Sequence, residues 1–166
     1  MAIIYLASGC FWGREYHLRK LPGVISTRTG FMGGTVAYPT YQQVCTKVTS
    51  HAETVEVMYD PAVLPTQTVL TEFFTLHDFT IDRSENSGQY RSAIFLTPEE
   101  KLAPEQEEIA LKMLAKLRAN GFSPTTQLRK DSIFYPADKR HQQYCSSKGM
   151  VPKKRGAEEI RKILTL

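Results

Sequence analysis

The chain has 166 residues, a hydrophobic share of 42% and a charged share of 23%. These are the proportions of a globular chain that buries a core without disulfide staples, and no apolar run approaches the ~20 residues that span a bilayer. The net charge of +4 comes from 21 basic and 17 acidic residues spread along the chain; it lacks the dense basic stripe of a nucleic-acid binder, and Lys153, Lys154 and Arg155 read as a solvated tail.

In chain order, Ala2 to Ala7 is short, apolar and partly β-branched, which predicts a buried strand. Ser8-Gly9 turns the chain, and a helix is expected from Phe11 to Leu21, stopped by Pro22-Gly23. Val24 to Thr29 reads as a second strand. Gly30 to Pro39 holds four glycines or prolines and reads as loop. A short helix follows over Tyr41 to Lys47. From Thr54 to Tyr59 the chain alternates, with Val55, Val57 and Tyr59 on one side and Thr54, Glu56 and Met58 on the other. That pattern predicts a half-buried strand, closed by Asp60-Pro61.

Val69, Leu70, Phe73, Phe74 and His77 share one face of a helix whose first turn suits Pro65. Arg91 to Leu96 reads as a strand and Glu105 to Asn120 as a helix with Asn120-Gly121 as its stop. A last strand over Thr125 to Arg129 and a last helix over Asp138 to Ser146 complete the reading. Ala157 to Leu164 has the pattern of an amphipathic helix. The order strand–helix–strand, then strand–helix–strand–helix–strand, predicts an α+β fold: a two-layer sandwich of a mixed β-sheet with helices, a ferredoxin-like α/β plait. With no repeat and no linker, residues 1–166 read as a single catalytic domain, with the tail 151–166 as a loosely docked extension.

The three cysteines are Cys10, Cys45 and Cys145. An odd count without a C-x-x-C spacing supports neither a disulfide framework nor a zinc site. The first residues lack the positive segment of a secretory signal, so a reducing, cytoplasmic setting is expected. Cys10 falls where a strand ends and a helix begins. Free N–H groups and the helix dipole favour a thiolate there. Gly9 and Gly13 leave room for a substrate, and Phe11 with Trp12, the one tryptophan of the chain, suits a small apolar cup. Local chemistry equally allows Cys10 to be a small buried hydrophobe with core aromatics beside it.

Gly9-Cys10-Phe11-Trp12-Gly13 resembles the signature of the A-type peptide methionine sulfoxide reductases. Further segments resemble that family in the family's order: Pro39-Thr40-Tyr41, Val44-Cys45, His51-Ala52-Glu53, Tyr59-Asp60-Pro61, His77-Asp78, Gln89 to Phe95, Phe134 to Ala137, and His141-Gln142-Gln143-Tyr144. The resemblance implies that Cys10 attacks the sulfoxide sulfur and that Glu53, kept neutral by burial, protonates the oxygen. It implies that Tyr41 and Tyr90 donate hydroxyls to that oxygen, and that Phe11 and Trp12 hold the S-methyl group. It also implies the S epimer at sulfur, a sulfenic acid on Cys10, and recycling by thioredoxin or another thiol. No metal or organic cofactor, membrane or nucleic acid is implied, and a monomer is expected.

Two departures stand out. The tail has no cysteine, which leaves Cys145 as either the resolving thiol or a thiol that packs its helix, while Cys45 matches a position treated as structural and is expected to be buried. Before Tyr90 the chain reads Glu85-Asn86-Ser87-Gly88-Gln89, which places Glu85 where the family has a substrate-binding aspartate. His51, His77 and His141 are read as structural. Two rival readings remain at this point: a cysteine hydrolase pairing Cys10 with His51 or His141, and a non-catalytic peptide-binding module using the Trp12 cup.

Overall fold

The computed structural model describes residues 1–83 and 88–165. Its sheet has six strands in the order β5-β4-β1-β3-β2-β6. They are β1 (Ala2–Ser8), β2 (Val24–Met32), β3 (Ala52–Tyr59), β4 (Ser92–Phe95), β5 (Gln127–Arg129) and β6 (Tyr135–Pro136). All neighbouring pairs are antiparallel except β4 with β5. Helices α1 (Phe11–Arg19) and α3 (Thr66–Thr75) make the crossovers of the inner four strands, and the helix between β4 and β5 makes the parallel crossover at the edge. The inner order β4-β1-β3-β2 is the one a ferredoxin-like plait requires, and the mixed sheet with its helices is the α+β fold expected from the element order.

Side-chain parity explains the two sides of the sheet. Ile4, Leu6, Phe31, Val55, Val57, Tyr59 and Ile94 point to the helices, where they join Leu18, Val69, Leu70, Phe73, Phe74 and Leu117 in the main core. Ala7, Met32, Ala52, Ala93 and Phe95 form a smaller cluster on the other face, with Tyr5 and Phe134 against it. Helix α4 (Ala103–Ala119) packs on α3.

Several sequence expectations need correction. Strand β3 is buried on both faces, not one; of its eight residues only Met58 is half-buried. It is central in the sheet, so its polar face is covered too. Gly30, Phe31 and Met32 belong to β2 rather than to a loop. Gly30 is there for a close approach: a Cβ on it would sit 2.4 Å from the Tyr135 carbonyl and 2.5 Å from the Phe134 ring.

The expected helix over Asp138 to Ser146 is instead a 3₁₀ turn, Lys139–His141, followed by α5 (Tyr144–Ser147). Between them Gln143 adopts a left-handed conformation, φ 51°. Buried Glu15 holds that break, accepting a 2.6 Å hydrogen bond from the Gln143 N–H. Gln142 locks onto β2 from its own side, accepting from the Thr29 N–H at 2.8 Å and donating to the Thr29 carbonyl at 2.9 Å. The C-terminal helix α6 (Glu158–Thr165) puts Ile160 and Leu164 into the main core. No described helix is long and apolar enough to cross a membrane.

Candidate active site

Cys10 caps the start of α1 and is exposed. The turn that places it runs through Gly9 at φ +118°, a backbone conformation open to glycine alone. The expected easy ionisation is not what the surroundings give. Partial burial pushes the Cys10 thiol up, and the Glu53 carboxylate adds to that. The N–H groups of Trp12 and Gly13, and the Arg14 guanidinium, pull the other way without overcoming it. The helix start is therefore a partial offset, not a net activation.

Glu53 is the second residue of β3, on the same side as Val55, Val57 and Tyr59, two residues further back along the apolar stripe. It is 1% exposed. One carboxyl oxygen accepts the Phe11 N–H at 3.1 Å and the other accepts the Gln89 side-chain amide at 2.7 Å. Burial raises its pKa to about 7, against the lowering effect of those two hydrogen bonds. A carboxyl at that value is present in both forms near neutral pH, which suits proton donation. The Phe11 N–H ties this acid directly to the residue after Cys10.

Tyr41 opens α2 (Tyr41–Cys45), a single turn closed at its start by a Thr40–Gln43 capping box. Burial and a hydrogen bond with Cys45 hold its phenol well above the usual range, and Glu53 and Tyr90 act on it as well. Tyr90 is 36% exposed and is pushed up to about 12, first by burial and then by Glu53, Cys10 and Cys45. Both phenols thus stay protonated and lie in the field of the same carboxyl.

The cup is built from more residues than the sequence indicated. Phe11 is fully buried beneath it, against Phe31 at 5.6 Å between ring centres. Trp12 is half-buried and stacks on Tyr144 at 3.9 Å. Its indole N–H donates to His141 Nδ1 at 3.1 Å, and the His141 ring stacks on Tyr41 at 4.3 Å. Gln89 and Tyr144 have no role in the sequence reading and His141 none in the cup; their only signal for it is their place inside matched segments.

Cys45 is exposed, not buried as expected. Tyr41 and Cys45 are four apart on a single helical turn, so they share a face, and its sulfur lies 3.6 Å from the Gln89 amide that also holds Glu53. Cys145 is the buried thiol, 3% exposed, with its sulfur 3.5 Å from the Trp12 carbonyl. Glu85 lies outside the described residues. His51 is structural: Nδ1 accepts from the Gly34 N–H at 3.0 Å and Nε2 is 2.7 Å from the Val36 carbonyl. His141 Nδ1 is taken by Trp12, and its Nε2 is buried without a hydrogen-bond partner. Neither histidine stands as a base to Cys10, so the hydrolase pair has no support. Among the described residues no group of three or more His, Cys, Asp or Glu side chains gathers as for a metal ion.

A family model described as peptide methionine sulfoxide reductase matches residues 2–162. The chain is 41% identical over 148 residues to the peptide methionine sulfoxide reductase MsrA of Salmonella schwarzengrund, covering 87% of this chain and 70% of that one. It is 39% identical over 146 residues to the enzyme of the same name from Methanoculleus marisnigri, covering 86% and 87%. The solved structure of methionine sulfoxide reductase A of Corynebacterium diphtheriae superposes with a TM-score of 0.76 at 34% identity, over 89% of this chain and 75% of that one. An exposed cysteine tied through one backbone N–H to a buried acid, on this fold and with these relatives, places the chain in the peptide methionine sulfoxide reductase family.

Proposed function

We propose that the chain reduces methionine S-sulfoxide in peptides and proteins to methionine, with Cys10 as nucleophile and Glu53 as acid. The observation that carries this reading is the Cys10–Phe11–Glu53 connection: a surface thiol beside a carboxyl whose pKa burial lifts to about 7. The Cys10 thiolate attacks the sulfoxide sulfur while Glu53 delivers a proton to the oxygen, with Tyr41 and Tyr90 donating hydrogen bonds as negative charge builds there. The oxygen transfers to Cys10. The substrate sulfur is reduced by two electrons and Cys10 leaves as a sulfenic acid. The apolar Trp12 wall over buried Phe11 suits the S-methyl group.

Two reducing equivalents from thiols then return Cys10–SOH to the thiol and release water. They arrive from thioredoxin or a small thiol directly, or through an intermediate disulfide with Cys145. The chain acts as a monomer in the cytoplasm. The test is incubation with dithiothreitol and a peptide carrying resolved sulfoxide epimers. Methionine should form from the S epimer alone; no methionine from either epimer removes the proposal.

A further inference from the structure

Besides Glu53, Cys10 has a cationic neighbour, Arg14. Arg14 lies in the first turn of α1; its Nε donates to the Ser8 carbonyl at 2.9 Å. Its Nη2 would stand 3.2 Å from a Cβ on Gly9, so the guanidinium lies against the residue preceding Cys10. Ser8 faces Ser92 across the β1–β4 pair. The Ser92 hydroxyl lies 2.7 Å from His77 Nε2, and the His77 carbonyl accepts a hydrogen bond from Arg155. Arg83 lines a cavity of about 280 Å³ together with Ser92. Three guanidiniums from distant parts of the chain therefore meet at the carboxyl end of β1. Arg83 and Arg155 both disfavour the charge on Arg14, and all three disfavour protonation of buried His77.

Asp78 and Glu72 are engaged elsewhere. Among the described residues none of the three guanidiniums is in an ion pair. Asp78 feels Arg155, but its carboxylate is engaged by the Thr80 hydroxyl and N–H. Asp82 lines the same cavity as Arg83. Buried Glu72 is spent elsewhere, on Lys154 at 2.5 Å and Arg161 at 3.3 Å. Those two pairs help to seat the tail, whose Ile160 and Leu164 enter the core. Pro152 then packs at Gly13, 3.4 Å from where a Cβ would be, and Arg155 is delivered to the flank. Mutually repelling cations held together beside a reactive group are best stabilised by an anion that arrives with the substrate.

We propose that Arg14, Arg83 and Arg155 form a carboxylate-binding flank beside Cys10, which selects sulfoxides that carry an acidic group close to the methionine. The flank receives an Asp or Glu side chain next to the methionine sulfoxide in a peptide, or the α-carboxylate of a free or terminal methionine sulfoxide. This rests on the reading of Cys10 as the nucleophile. The chemistry recognised is a carboxylate in either case, and guanidiniums suit it through paired N–H donors.

The experiment is steady-state kinetics of the full chain on capped peptides differing only in the residue beside the sulfoxide: Asp, Asn or Lys. A second arm compares N-acetyl methionine sulfoxide with its amide. The expected order is Asp above Asn above Lys, with kcat/KM for Asp over Asn raised roughly three- to tenfold, carried by KM and erased by added salt. Arg83→Gln and Arg155→Gln should each shrink that preference and leave the Asn peptide unchanged, which a merely structural role would not do. A preference confined to the second arm places the terminal carboxylate on the flank. Equal rates for Asp and Asn peptides and for acid and amide would overturn the flank while leaving the reductase reading intact. Absence of turnover on every peptide would instead strike the reading on which it rests, and peptide binding to Cys10→Ser would then decide the flank by whether Asp still binds more tightly than Asn.

Discussion

Glu53 is the single residue on which the proposed chemistry turns. Its position was legible in part: the stripe of Val55, Val57 and Tyr59, extended back by two, puts residue 53 on the helix-facing side of β3. A carboxyl on that side has to be buried, but nothing in the alternation says that it is needed. The role came only from the resemblance. Replacing it by Gln keeps the size and one of the two acceptor oxygens, sets an NH2 donor in place of the other, and removes the proton. Formation of the sulfenic acid in single turnover should slow by about 10²–10⁴-fold. The pH profile follows from the same pair. Attack needs thiolate and neutral acid together, a state with one proton fewer than the fully protonated pair. With Glu53 at about 7 and Cys10 raised above its ordinary value, kcat/KM should rise as pH passes about 7 and fall again beyond the thiol's own titration. A rising limb near 7 that survives in Glu53→Gln cannot belong to this carboxyl.

At the scale of elements, the long periodic pieces were readable and the short irregular ones were not. β1, α1, α3 and α4 follow from apolar spacing and from Pro and Gly stops. The 3₁₀ turn, left-handed Gln143 and α5 depend on long-range partners: Glu15 on α1 and Thr29 on β2. The same segment carries His141 and Tyr144 to Trp12, so a part of the site was hidden with it. Cys45 is exposed rather than buried for the same reason, since it sits on one turn of helix whose surroundings come from elsewhere. Cys145→Ser should leave the first turnover unchanged, because the thiol is buried under α1. Mass spectrometry after one turnover without reductant then assigns the recycling route. A Cys10–Cys145 disulfide means that α5 opens. A Cys10–Cys45 disulfide assigns resolution to the exposed thiol of α2. A persistent sulfenic acid with both other thiols free leaves recycling to the external reductant. The C-terminal helix makes a separate prediction: Leu164→Ala removes a side chain 1% exposed in the core and should cost about 2–3 kcal/mol in denaturant unfolding.

For the whole molecule, composition and charge bounded the class of protein, and the order of elements led to the sheet and its helices. The amphipathic pattern of 157–164 led to a docked helix, but neither composition nor element order showed what the tail would dock on. Glu72, read only as one residue of a helix, is the buried acid that receives Lys154 and Arg161 and thereby closes the molecule beside its own site. The central claim remains the transfer of one oxygen atom to Cys10. The most direct measurement mixes the reduced protein with one equivalent of a peptide methionine S-sulfoxide, without reductant, in the presence of a sulfenic-acid trap. The account predicts one equivalent of methionine peptide, the trap attached at Cys10, and neither product from Cys10→Ser. Methionine formed at an undiminished rate by Cys10→Ser, or a trap adduct absent from Cys10 after turnover, would contradict it.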